Sequence, residues 1–439
     1  MAASIVTIEK LAFGGDGFGH LEGKACFVPF TAPGDVVRID VVTEKRSFIN
    51  GQVREFVQLS PVRVSPSCQV FGSCGGCQWQ HVPYDLQVEQ KYEIFAGLMG
   101  RIARVNADRI EPVVPSPDPY GYRSRIQLKV RYAAGEVHIG FYRAGSHFVI
   151  DIPQCCPISA PVVNSVIKDL HSFMAVFPEP DKIPQIDISA GADGRTIIIF
   201  HYIGSNPDDI CSFIGENRTS LGSASGLWLQ CGKKHTLVPI AGIGALTYRV
   251  PAGGGGASPS LELRFSRGGF SQVNYRQNEI LVGTVLEWAA LNGTERVLDL
   301  YCGNGNISLP LARNAGRVVG VEEYAPSLTD AGENCRIHGI GNCEFNCSDV
   351  TKWLQKAVAS GDRFDVVVLD PPRAGAKEAI PLIARLRPRA ILYISCDPAT
   401  LARDVATLGK HGFECAKSRP VDMFPQTYHL ESITLLESV

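Results

Sequence analysis

The stretch Arg296-Val-Leu-Asp-Leu300-Tyr-Cys-Gly303-Asn-Gly305-Asn306 decides how the C-terminal part of this 439-residue chain is built. A short apolar run stops at a turn carrying two glycines, and Ile307 to Asn314 continues with helix-like spacing. Such a strand-to-helix turn can hold a nucleotide-like ligand, because glycine lets the backbone approach it closely. Further on, Arg317-Val-Val-Gly-Val-Glu322 ends in an acid suited to ribose hydroxyls. Asp349 follows the next strand-like run, and Phe364-Asp-Val-Val-Val-Leu-Asp370-Pro-Pro closes another. Alternation of strands and helices predicts a Rossmann-like, mostly parallel sheet, whose ligands bind beyond the strand C-termini where these residues would gather.

A nicotinamide fingerprint needs a third glycine, but Ile307 and Ser308 follow Gly305-Asn306. S-adenosylmethionine fits the pattern better. Downstream, Tyr393-Ile-Ser-Cys396-Asp-Pro-Ala-Thr-Leu-Ala-Arg-Asp404 ends a strand-like run at a cysteine and starts a helix-like one. Pro398 suits the first helical turn and Asp397 an N-cap. A cysteine beside a helix N-terminus is expected to have its pKa lowered from about 8.5, favouring the nucleophilic thiolate. The carboxylate of Asp397 opposes that effect.

Upstream, short β-branched runs and turns from Ile5 to about Val57 predict a small antiparallel barrel, in which acids slightly outnumber bases. Next comes Cys68-x5-Cys74-Gly-Gly-Cys77, with Cys155-Cys156-Pro157 far downstream. Three thiolates on a Gly-containing loop can wrap a metal group, and a remote cysteine followed by proline suggests iron–sulfur ligation. Zinc ribbons usually pair two Cys-x-x-Cys knuckles, and only one is present. A [4Fe-4S] cluster on Cys68, Cys74, Cys77 and Cys156 is therefore expected, Cys156 being preferred over Cys155 for its proline. Val88, Tyr92, Phe95, Met99 and Ile102 form one helical stripe, predicting a packing helix over 84–103 that docks on the catalytic domain.

Arg123, Arg125, Gln127, Lys129 and Arg131 fall on alternate positions, opposite Tyr122, Ile126, Leu128, Val130 and Tyr132. In a strand this places a basic row, free of acids, on one face and an apolar row on the other. Such a row can follow an RNA backbone, and Arg143 and His147 would extend it. From Ile158 to Phe265 strand-like runs such as Thr196–Phe200 and Leu227–Gln230 carry no nameable chemistry, and Pro251–Pro259 reads as a hairpin tip.

The hydrophobic fraction of 45% and charged fraction of 20% are those of a globular protein. A net charge of -2 requires any nucleic-acid surface to be local. No apolar run approaches a membrane span, and the first residues lack a signal-peptide core, so a cytoplasmic monomer without membrane contact is expected. Fourteen cysteines then point to ligation, catalysis or packing before disulfides.

Together, Gln272-Val-Asn274, Asp299–Asn306, Asp370-Pro-Pro-Arg-Ala-Gly375, Ser395–Asp404 and Asp422-Met-Phe-Pro-Gln-Thr-Tyr-His-Leu-Glu431-Ser432 resemble the RNA (uracil-5-)-methyltransferase family. The Gly-rich start, with Phe27-Val-Pro-Phe and Gly34-Asp35, resembles the TRAM domain, an OB-like RNA-binding module. The resemblance implies a multidomain α/β enzyme: an OB-like barrel over 1–60, a β-rich iron–sulfur and RNA-binding domain over 61–267, and a methyltransferase domain over 268–439. It implies donor contacts from Gln272, Tyr301, Gly303, Asn306, Glu322, Asp349 and Asp370, Cys396 as nucleophile at uracil carbon 6, and Glu431 as base. RNA contacts are expected from Arg123, Arg125, Lys129 and Arg131 of the alternating basic row. The combination of features is most like the branch acting on 23S rRNA; a tRNA T-loop enzyme is the nearer alternative. A nitrogen methyltransferase would follow Asp370-Pro-Pro with an aromatic, where this chain has Arg373. A radical enzyme would need Cys-x3-Cys-x2-Cys, and a non-catalytic RNA chaperone would leave the cysteine unused.

Overall fold

The computed structural model describes residues 4–152, 154–232, 236–253, 260–266, 268–269 and 271–439. Five strands, β1 (Ser4–Leu11), β2 (Gly17–Leu21), β3 (Lys24–Val28), β4 (Val36–Glu44) and β5 (Phe48–Gln58), close into a barrel in the order β1-β2-β3-β5-β4. Alternate residues such as Val6, Ile8, Val37 and Ile39 fill it. Asp35 clamps its exit, accepting from Ala32 N at 2.7 Å, Ser60 N at 2.8 Å and the Arg63 guanidinium at 2.6 Å.

The cysteine loop leads to helix α1 (Tyr84–Leu98), extended by a π turn over Met99–Ala103. Phe95 and Met99 are fully buried in one core with Leu298, Leu300, Ile391 and Tyr393 of the C-terminal sheet, each contributing about 1.5–3 kcal/mol by leaving water. The expected stripe accounts for only part of this helix. Ile102 is exposed, whereas Gln87, Gln90 and Lys91, which a two-sided helix would show to solvent, are buried. Gln87 and Lys91 are buried because the segment following Val421, to which they hydrogen-bond, covers α1 on a second side, and Gln90 accepts from Leu11 N of the barrel.

The middle of the chain forms β6 (Arg125–Ala133), β7 (Glu136–Tyr142), β8 (Val149–Asp151), α2 (Pro161–Ala175), β9 (Gln185–Ala190), β10 (Thr196–Tyr202), α3 (Pro207–Glu216), β11 (Gly226–Cys231) and β12 (Leu237–Gly242). The sheet order is β12-β11-β10-β9-β6-β7-β8. Ile126, Leu128 and Val130 of β6 join a core with α2, as period-two alternation requires. Tyr132 departs from the apolar row and is exposed, lying near the β6–β7 turn beyond the reach of α2. A hairpin of β13 (Ala245–Pro251) and β14 (Ser260–Ser266) follows; residues 254–259 of its expected tip lie outside the described residues.

The last part runs α4 (Tyr275–Ala289), β15 (Arg296–Leu300), α5 (Ser308–Ala312), β16 (Arg317–Glu322), α6 (Ala325–His338), β17 (Cys343–Cys347), α7 (Val350–Ala359), β18 (Val366–Leu369), α8 (Ile380–Leu386), β19 (Ala390–Ser395), α9 (Pro398–Gly409), β20 (Phe413–Val421) and β21 (Glu431–Ser438). Its sheet order is β17-β16-β15-β18-β19-β21-β20, parallel from β17 to β19 and antiparallel at β21 and β20. The chain leaves β15 in one direction for β16 and β17 and resumes on its other side at β18. That reversal opens a crevice at the C-terminal ends of β15 and β18. Among the described residues, no helix is long and apolar enough to cross a membrane.

Candidate active site

The turn after β15 begins with Tyr301, a non-glycine residue at φ 64°, where a side chain costs about 1–2 kcal/mol. Two turn residues later Gly303 (φ 54°) and Gly305 (φ 87°) follow; a Cβ on Gly305 would lie 2.2 Å from Leu309 Cδ1. The turn lines a small cavity with Gln272, Tyr301, Gly303, Asn306 and Asp370, joined by Tyr248 and Asp299. Glu322 braces it, one oxygen accepting from Gly303 N at 3.2 Å and the other from Tyr324 N at 2.8 Å. Asp349 stands apart from that cavity. It caps α7 by accepting from Lys352 N at 2.8 Å, while burial, and after it the Asp349 charge, raises the pKa of the Tyr301 hydroxyl. Burial pushes Asp299 up to about 7, although the Ser308 hydroxyl donates to it.

Cys396 lies where β19 meets α9. Asp397 caps the helix as expected, accepting from Ala399 N at 3.0 Å and Thr400 N at 2.8 Å, with Pro398 in the first turn. The β19–β21 pairing ends at Ser395↔Ser432, so Cys396 and Glu431, the first residue of β21, are the next residues beyond it, and the Glu431 charge acts on the Cys396 thiol. Glu431 is buried, and its Oε1 has no hydrogen-bond partner among the described residues. Asp370 ends the adjacent β18.

The expected lowering of the Cys396 pKa is not found. Burial pushes the thiol up to about 12, the Glu431 and Asp370 carboxylates raise it further, and the Arg373 guanidinium opposes them. Desolvation and two facing carboxylates outweigh the helix terminus, whose first N–H groups are already taken by Asp397. Burial raises Glu431 well above the usual carboxylate range, with Asp370 adding and Arg373 opposing; burial takes Asp370 up to about 7. Both the thiol and Glu431 are thus shifted toward their neutral forms.

Cys68, Cys74, Cys77 and Cys156 line one cavity of about 100 Å³ with Val70, Phe71, Phe141 and Arg123, while Cys155 is exposed. Among the described residues no three His, Cys, Asp or Glu side chains are grouped to hold a single metal ion. Burial raises Cys74 to about 11 and Cys77 to about 12, and a charge on Cys156 would add to both.

The basic row of β6 divides. Arg123 reaches the cysteine cavity and donates to Arg125 O at 3.1 Å, and Arg125 donates to Gly269 O at 2.9 Å. Lys129 and Arg131 turn outward, Lys129 5.6 Å from the Tyr142 ring and Arg131 5.1 Å from Phe148, which Arg143 flanks at 5.3 Å. The face is not free of acids, because the neighbouring strand sets Asp187 across from Gln127. Residues that sequence reasoning passed over include Arg373, signalled only by its place after Asp370-Pro-Pro, and His429, whose pKa burial lowers to about 4.

The family described as tRNA (Uracil-5-)-methyltransferase matches residues 257–439, and the TRAM domain matches 5–53. An RNA methyltransferase of Thermosynechococcus vestitus is 35% identical over 98% of this chain and 96% of its own length. The 23S rRNA (uracil(1939)-C(5))-methyltransferase RlmD of Vibrio parahaemolyticus is 32% identical, covering 98% of this chain and 95% of its own. A Pyrococcus abyssi tRNA (uracil-54, C5)-methyltransferase, solved with S-adenosyl-L-homocysteine, shares the fold with a TM-score of 0.73 at 24% identity, over 99% of each chain. The match along nearly the full length of both chains, joined to a buried cysteine–carboxylate pair beside a Gly-rich turn, places this chain in the RNA (uracil-5-)-methyltransferase family.

Proposed function

We propose that this protein methylates carbon 5 of a uridine in 23S rRNA, and the observation that carries the chemistry is Cys396 set with Glu431, whose Oε1 is free, just beyond the β19–β21 pairing. Bound at the Gly303–Asn306 turn, S-adenosylmethionine would supply an electrophilic methyl group and a positive charge. The small cavity of Gln272, Tyr301 and Asp370 suits such a ligand, and Glu322, which braces the turn, would offer a carboxylate to its hydroxyls.

Carbon 5 of uracil is a weak nucleophile, and Cys396 is placed to change that. Its proton has a path out, since the residue is only half-buried. As the sulfur bonds to carbon 6, the C5=C6 electron pair moves toward the carbon-4 oxygen, and the resulting enolate accepts the methyl group at carbon 5. Glu431 then takes the carbon-5 proton, C5=C6 re-forms, and the C6–S bond breaks with its electron pair returning to sulfur. Glu431 can do so only after losing its own proton, which a nearby positive charge favours. The target base must leave its stack to reach this pocket. Lys129 and Arg131 supply outward cations for the RNA backbone, while Arg125 ties the central sheet to Gly269 and Arg123 lies at the cysteine cavity.

The ribosomal target rests on relatives named for 23S rRNA that align along almost the whole chain. Nucleoside mapping of rRNA and tRNA from cells with and without the protein should show 5-methyluridine lost from 23S rRNA. Loss from the tRNA T-loop alone would assign the target to tRNA.

A [4Fe-4S] cluster suits Cys68, Cys74, Cys77 and Cys156, because their cavity is wider than a single ion at bonds of about 2.3 Å requires. It would brace the loop after the barrel against the segment before α2. Cys156→Ala should abolish the iron–sulfur absorption band of anaerobically purified protein and Cys155→Ala should keep it; the reverse result would make Cys155 the ligand.

A further inference from the structure

The nine-residue connection between β20 and β21, Asp422 to Leu430, is closed at its neck by the Val421↔Glu431 pair, so its shape sets where Glu431 begins. A lysine from a distant helix is buried in it. Lys91 of α1 is 1% exposed and donates to Asp422 Oδ1 at 2.5 Å and to Phe424 O at 3.1 Å. The Phe424 carbonyl also accepts from Thr427 Oγ1 at 2.8 Å, and that hydroxyl accepts from His429 N at 3.2 Å. The contacts therefore run from the ammonium through the loop to within two residues of Glu431. Nothing in the chemistry derived above uses Lys91, although burying an ammonium is costly and a neutral side chain would fill the same volume. The loop has other anchors, since Gln87 and Gln426 exchange two hydrogen bonds at 3.0 and 2.9 Å. Lys91 thus adds a directed contact to a segment already held in place.

We propose that Lys91 is a positioning residue for proton removal, acting through Asp422 and the Phe424 carbonyl to fix the loop that presents Glu431. It touches neither the RNA base nor the donor. Its step is the one in which the carbon-5 proton passes to Glu431 and the C6–S bond breaks, not the earlier addition of Cys396. This rests on Glu431 being the base.

The test is single-turnover reaction of the full-length protein with S-adenosylmethionine and its RNA, with the covalent protein–RNA adduct followed on denaturing gels. Lys91→Met alone leaves Asp422 an unpaired buried charge, so the variant to use is Lys91→Met with Asp422→Asn, with Glu431→Gln as reference. The double variant is expected to keep its melting temperature within a few degrees, form adduct at the wild-type rate with unchanged KM for RNA, and resolve it at least tenfold more slowly. Resolution at the wild-type rate while Glu431→Gln accumulates adduct overturns the positioning role alone. Adduct formation slowed as much as resolution also overturns it, because Lys91 would then be a general anchor. If Glu431→Gln forms adduct and resolves it normally, the assignment of the base falls first, and the role of Lys91 falls with it.

Discussion

Cys396→Ala should retain the fold and donor binding, yet lose methyl transfer by on the order of 10⁴-fold or more and form no covalent RNA adduct, since no other group here can add to carbon 6. The wild-type thiol carries its own signature. With its pKa at about 12, alkylation of Cys396 without RNA or donor, followed by peptide mapping, should be slow at pH 8 and rise with pH through 10 without a plateau. The sign follows from the cause: burial and the carboxylates of Glu431 and Asp370 favour the neutral thiol, so thiolate appears only as pH climbs toward that value. An alkylation rate that levels off near pH 8 would mean an ordinary exposed cysteine.

Lys91→Met should be the most damaging single change to stability outside the hydrophobic core. Removing one partner of a buried ion pair leaves the other charged and unsolvated, at a cost of about 3–5 kcal/mol. Asp422 is fully buried and Lys91 nearly so, which puts this pair in that class, unlike the exposed pair Arg336–Glu333. Urea denaturation of the full-length protein should show the loss, and adding Asp422→Asn should recover most of it. A single variant as stable as the double would place the pair among those worth little.

The sequence made these parts visible to different degrees. Apolar periodicity carried the strands, since Ile126, Leu128 and Val130 must share a face, and the two glycines after Leu300 marked a turn that allows close backbone approach. Cys396 was legible as a residue between strand and helix, but its protonation was not. That depends on Glu431, which is 35 residues away in sequence and meets it only through the β19–β21 register. Lys91 lies off the apolar stripe of α1, and the loop that covers it lies more than 300 residues downstream. Asp187 likewise enters the basic face from another strand. What escaped local reading was in each case set by pairing between distant segments.

The most direct test of the central claim is RNA labelled with tritium at carbon 5 of uridine, incubated with the protein and S-adenosylmethionine. Attack by Cys396 and proton removal by Glu431 predict one tritium released to water for each methyl group transferred, with 5-methyluridine as the product. Methyl transfer that leaves the tritium in the RNA would contradict the account, because the methylated atom would then not be carbon 5.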